Sequence, residues 1–234
     1  MKLLHVAGAA LMSACLLIGQ TSCSSMTNTG KGALIGGGGG AGLGAGLGAL
    51  IGGGKGAGIG AAIGAAVGAG AGTLIGNKMD KQKKELEAQL AEQAKVEDVK
   101  DNNGLQAIKV TFDGGILFPL NGTSLSANAK KDLTGFANNL INNPGTDVTV
   151  LGFTDNTGTY AVNERVATGR ADAVMTYLVN SGVKPTRIQA EGLPMQDYVA
   201  SNDTSEGRAQ NRRVEIYITA SKEMIQQAES GTLK

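Results

Sequence analysis

The sequence predicts an α+β protein: a β-α-β-α-β-β unit whose helices pack on one sheet, preceded by a helical hairpin. Two observations carry that expectation. Glycine recurs at every fourth position from Gly32 to Gly76. From Leu105 onward the composition becomes ordinary, and short alternating apolar runs separate longer helical ones. A third observation restricts the chemistry. The one histidine, His5, and both cysteines, Cys15 and Cys23, lie in the first 23 of 234 residues.

The chain opens on MKLLHVAGAALMSACLLI, one lysine and then an apolar run, followed by small and polar residues. This is the layout of an export signal, expected over 1–22. A cysteine just beyond such a run resembles a bacterial lipoprotein signal, in which the new N-terminal cysteine is acylated. Cys15 follows Met12-Ser13-Ala14, which suits the small-residue cleavage pattern, but it would leave Leu16-Leu17-Ile18 in the mature chain. Cys23 ends the whole run and precedes the polar SSMTNTG, which reads as a tether over 23–31, so Cys23 is the favoured lipidation site.

Glycine then occupies 32, 36, 40 and every fourth position to 76, with alanine, leucine, isoleucine and valine between. A flexible linker would carry serine and no register. In water so many glycines weaken a helix, but in lipid the helix is retained and the glycine groove lets two backbones approach. Lys55 in GGGKG marks a turn, giving one helix from about Gly32 to Ile51 and a second from about Gly56 to Gly76. The expectation is a membrane-associated hairpin over 32–77, a surface for a lipid membrane and for homo-oligomers through the zipper. No acidic residue lies in either half, which argues against an ion-conducting helix. Residues 78–104 read as a charged helical linker with a thin stripe of Leu86 and Leu90, closed by Asp101-Asn102-Asn103-Gly104.

In the domain expected over 105–220, Ile108, Val110 and Phe112 alternate as a strand. Asp113-Gly114-Gly115 is a turn, with Ile116-Leu117-Phe118 extending the strand beyond it. Ser126 caps a helix that buries Leu133, Phe136, Ala137, Leu140 and Ile141 and stops at Asn143-Pro144-Gly145. Val148 and Val150 give a second strand. A long helix runs from about Thr159 to Asn180, with Val162, Val166, Val174 and Leu178 on one face, closed by Ser181-Gly182. Residues 187–191 form a third strand, 193–210 a polar loop, and Val214, Ile216 and Ile218 the last strand, before a tail over 221–234.

Net charge is +1, from 21 basic and 20 acidic side chains, so a nucleic-acid partner is not expected. If the N-terminus is removed in processing, no histidine remains, so no serine–histidine or cysteine–histidine pair and no ordinary zinc site can form. No catalytic residue, metal or other cofactor is expected. Arg170 stands out, because it lies on or beside the apolar stripe of the long helix. A guanidinium there needs a partner, and Asp155, where the second strand turns toward that helix, is the best placed by sequence. An aspartate and an arginine across a pocket grip a zwitterion: one takes an ammonium, the other a carboxylate. A plain structural ion pair is the alternative.

GFTDNTG at 152–158, Asn163, Arg170-Ala171 and GRAQNRRVEI at 207–216 resemble the OmpA-like peptidoglycan-binding domain over about 105–220, and the glycine segment is similar to that of glycine-zipper outer-membrane lipoproteins of that family. The resemblance implies an OmpA-like sandwich. It implies that Asp155 and Arg170 hold the diaminopimelate side chain of the peptide stem, with Thr154 and Asn163 assisting, and that Arg208, Arg212 and Arg213 are mainly structural or rim residues. Phe118-Pro119, Pro194 and Tyr198 depart from the pattern and bear on the pocket rim. The function implied is a non-enzymatic tether: lipid anchor in the outer membrane, globular domain in the periplasm, diaminopimelate-type peptidoglycan as partner. The alternatives are an ion-conducting motor or transport component with a wall-anchoring domain, and a carboxylate-only peptidoglycan hydrolase, for which Glu164 is the nearest second acid. For the glycine-rich half alone, a self-assembling pore or amyloid-like segment is a further alternative.

Overall fold

The computed structural model describes residues 67–234 apart from 91, 92, 102 and 120. The export signal, Cys15, Cys23, the tether and the glycine hairpin up to residue 66 lie outside the described residues. The first described element, α1 (Ala69–Leu90), leads into a hairpin of β1 (Ala94–Lys100) and β2 (Gln106–Asp113). There follow a single turn of helix, α2 (Gly114–Leu117), then α3 (Ala127–Asn142), β3 (Thr146–Phe153) and α4 (Tyr160–Asn180). β4 (Ile188–Leu193), α5 (Ser205–Asn211), β5 (Arg213–Ala220) and α6 (Lys222–Glu229) complete the order.

The five strands form one sheet in the order β1-β2-β5-β3-β4, antiparallel except for β3 beside β4. Alternation sorts the side chains. Ile108, Val110, Phe112, Val148, Val150, Val214, Ile216 and Ile218 share one core with α1, α3, α4 and α6. Leu151, Phe153 and Leu193 form a small cluster with Tyr217 apart from that core. Helices on one sheet were expected, and the β-α-β-α-β-β order survives as β2-α3-β3-α4-β4-β5.

Three expectations are corrected. Residues 78–104 are not one solvated helix. The helix ends at Leu90, and Ala94–Lys100 is an edge strand paired with β2 from Ala94 opposite Phe112 to Lys100 opposite Gln106. The cause is the Asp101–Gly104 turn: the Asp101 carboxylate accepts from the Asn103 and Leu105 amides, and Gly104 takes φ +72°. Secondly, α1 is docked. Ala71, Ile75, Met79, Gln82, Leu86 and Leu90 are all buried, a stripe at spacings of three and four that crosses from the glycine segment into the charged one. Its polar member, Gln82, donates to Asn139 at 3.0 Å, and Asn139 donates to Glu85 at 3.2 Å, fixing α1 on α3. Thirdly, Gly114–Leu117 is helical rather than a strand extension, because the Asp113 carboxylate caps the Gly115 amide.

Two smaller shifts concern helix faces. Ile141 and Val162 are exposed, and α4 buries Asn163, Ala167, Arg170, Ala171, Val174 and Leu178 instead. The helix lies tight on the sheet at two glycines. A Cβ at Gly152 would stand 2.2 Å from the Ala167 carbonyl oxygen, and one at Gly192 2.3 Å from the Thr168 nitrogen. This close approach sets Arg170, one turn further along α4, within electrostatic reach of Asp155 in the loop that leaves β3.

Candidate functional site

The loop after β3 is built around Asp155. Its Oδ1 accepts from the Thr157 amide at 2.9 Å and from the Thr157 hydroxyl, closing an Asx-type turn. Gly158 takes φ +87°, and Thr159 caps α4 by accepting from the Val162 amide. Asn163, on the first turn of α4, donates to the carbonyls of Thr157 (2.7 Å) and Thr159 (3.1 Å). Thr154 accepts from the Met195 amide at 3.1 Å, joining this loop to the one after β4. Thr154 and Asn163, expected as assisting residues, therefore shape the loops that carry Asp155.

Arg170 is 3% exposed and Asp155 4%. The alternative of a plain ion pair between them is not what forms: Asp155 Oδ2 is held by Arg212 Nη1 at 2.7 Å, and no ion pair joins Asp155 to Arg170 among the described residues. Arg170 instead donates from Nε to the Gly122 carbonyl at 3.0 Å and lies over the Phe118 ring, 5.2 Å from its centroid. Its Nη1 is buried with no hydrogen-bond partner. A Cβ on Gly114 would come within 3.4 Å of that nitrogen, so α2 forms the wall beside it. The Gly114 amide in turn donates to the Arg212 carbonyl at 2.8 Å. The chain thus brings Asp155, Arg170 and Arg212 together at one pole.

The charges there are coupled. Burial pushes the Arg170 guanidinium below its usual value, the Arg212 charge pushes the same way, and Asp155 opposes both. Burial would raise the Asp155 carboxyl, but hydrogen bonds from Thr157 and Arg212 outweigh it and hold the group below its ordinary value. The arrangement sets a carboxylate engaged by Thr157 and Arg212 at the same pole as a buried guanidinium nitrogen without a hydrogen-bond partner.

Two residues have a part that the sequence reading did not give them, Arg212 at the site and Asn211 beside it, while Arg213 is structural as expected. Arg212 was read as rim or structural, and the signal that marks it is its place at the end of α5, whose Thr204 cap was inside an expected loop. Asn211 is fully buried and accepts from the Val199 and Ala200 amides, fixing the loop before α5. Arg213 forms a ladder apart from the site. It bonds Glu215 at 2.7 Å and the Asp197 carbonyl at 2.9 Å, and stacks 3.8 Å over Phe153. Tyr217 donates to Glu215 at 2.8 Å, and burial beside that carboxylate pushes its phenol well up.

Residues 117–212 match the OmpA family, and residues 1–80 match the YMGG-like Gly-zipper. The C-terminal part is an OmpA-family domain. A probable lipoprotein, YiaD of Escherichia coli K12, is 39% identical over 112 residues, 48% of this chain and 51% of its own length. The peptidoglycan-binding protein ArfA of Mycobacterium tuberculosis is 41% identical over 112 residues, 48% of this chain and 34% of its own. The match to these curated relatives spans about half of their length or less. Among solved structures, the cell wall anchor of the T6SS from Pseudomonas aeruginosa superposes with a TM-score of 0.52 and 30% identity, covering 59% of this chain and 99% of that one.

Proposed function

We propose that this protein is a non-catalytic tether that binds peptidoglycan through the diaminopimelate end of the stem peptide. Asp155 takes the ammonium of that end and Arg170 its carboxylate, on loops shaped by Thr154 and Asn163. The chain is anchored by acylated Cys23 in the outer membrane, and its domain works in the periplasm. The observation that carries the reading is the unpartnered Nη1 of buried Arg170 at the same pole as Asp155. Leaving such a donor unsatisfied costs ~1–3 kcal/mol, which a ligand carboxylate would return. Support also comes from relatives whose names describe a lipoprotein, a peptidoglycan-binding protein and a cell wall anchor. Glycan hydrolysis calls for two facing carboxylates. Here the groups gathered about Asp155 are guanidiniums, and Glu164 is exposed on α4.

The test is co-sedimentation of the full chain with diaminopimelate-type peptidoglycan. Asp155→Ala and Arg170→Ala are each expected to lose at least tenfold in affinity, and Cys23→Ala to lose acyl labelling. Retained binding in both site variants would remove the site.

A further inference from the structure

The oxygens of Asp155 are not equivalent. Oδ1 is saturated by the two Thr157 donors, so Oδ2 is the oxygen open to exchange, and Arg212 holds it. The two arginines also differ. Arg170 is locked by Gly122 and Phe118 and buried at 3%. The Arg212 side chain is 31% exposed and bonded to Asp155 Oδ2, while its backbone is held by the Gly114 amide and the Arg208 carbonyl. Arg212 is therefore the more exposed of the two arginines at this pole, and its side chain the less restrained.

We propose that Arg212 is a specificity-determining residue: it occupies Asp155 as an internal counterion, and only a ligand end bearing both an ammonium and a carboxylate can replace it. The inference rests on the function proposed above. Two guanidiniums and one carboxylate leave this pole at +1. An ammonium alone, as on a lysine stem, would displace Arg212 from Oδ2 and raise the pole to +2, with a guanidinium left without a counterion. A zwitterionic end adds no net charge. Its ammonium takes Oδ2, and its carboxylate meets Arg170 Nη1 and the released Arg212 in the bidentate manner that guanidinium favours. Rejection of the singly charged end thus comes from a repulsive element already in the chain.

The experiment titrates the full chain with two soluble stem peptides, one ending in diaminopimelate and one in lysine. Arg212→Gln is expected to narrow the affinity ratio between them at least tenfold, about 1.4 kcal/mol, chiefly by tighter binding of the lysine peptide. Arg212→Lys, which keeps the charge, is expected to retain most of the ratio. An unchanged ratio in Arg212→Gln, or an equal loss in Arg212→Lys, overturns the proposal. Asp155→Ala and Arg170→Ala run alongside. If they keep the diaminopimelate peptide, the site itself is wrong. If they lose it while Arg212→Gln keeps the ratio, the role given to Arg212 alone is wrong.

Discussion

Arg212 and Arg213 are neighbours in sequence and opposites in structure. Arg212 reaches a carboxylate at the loop pole, with its side chain 31% exposed. Arg213 reaches Glu215, with both side chains at 5–6% exposure, and is further fastened by the Asp197 carbonyl and the Phe153 ring. Chemistry and bond length are the same, 2.7 Å in each pair. What differs is the number of restraints on the cation. One pair can exchange its partner, and the other is part of the fold.

That contrast can be broken by mutation. Arg213→Ala strands the buried Glu215 carboxylate and is expected to cost about 3–5 kcal/mol, read as a lower urea midpoint. Arg212→Ala is expected to leave that midpoint nearly unchanged. Equal destabilisation by the two would erase the distinction. Leu86→Ala, on the face of α1 against the core, is expected to cost about 2–5 kcal/mol without altering relative affinities for stem peptides. The same packing predicts that a fragment starting at residue 105 unfolds more readily than one starting at 67, measured by thermal denaturation. Thr159→Ala, which removes the cap of α4, is expected to cost about 1 kcal/mol and to weaken ligand binding modestly, since the capped turn carries Asn163.

The smallest expected effect concerns acid. The folded Asp155 carboxyl lies below its unfolded value, so its contribution is complete above about pH 4 and is lost as pH falls through the folded value. Binding should be flat from about pH 5 to 8 and decline below 4, while Asp155→Asn should lose that decline. A decline centred near neutrality would point to another group.

Much of the sheet was legible because its signals are local. Ser126 and Thr159 cap the helices where a hydroxyl precedes an apolar period, and Val214, Ile216 and Ile218 alternate. β1 was not legible, since Val96 and Val99 are three apart, a helical spacing, and its pairing depends on β2 across a turn. The helix face of α4 shifted because tight contact at Gly152 and Gly192 decides it, and no periodicity shows a contact. At the site, Asp155 and Arg170 were legible as charges at odds with their surroundings. Arg212 was not, because its bond to Asp155 spans 57 residues.

The docking of α1 sets a length constraint on whatever precedes it. A second membrane leg ending at Gly76 would need Ala71 and Ile75, which the core already holds. Residues 56–68 remain, and as a helix they would rise about 20 Å, against roughly 30 Å of hydrocarbon. Full insertion of such a leg and full folding of the C-terminal domain draw on the same turns of chain.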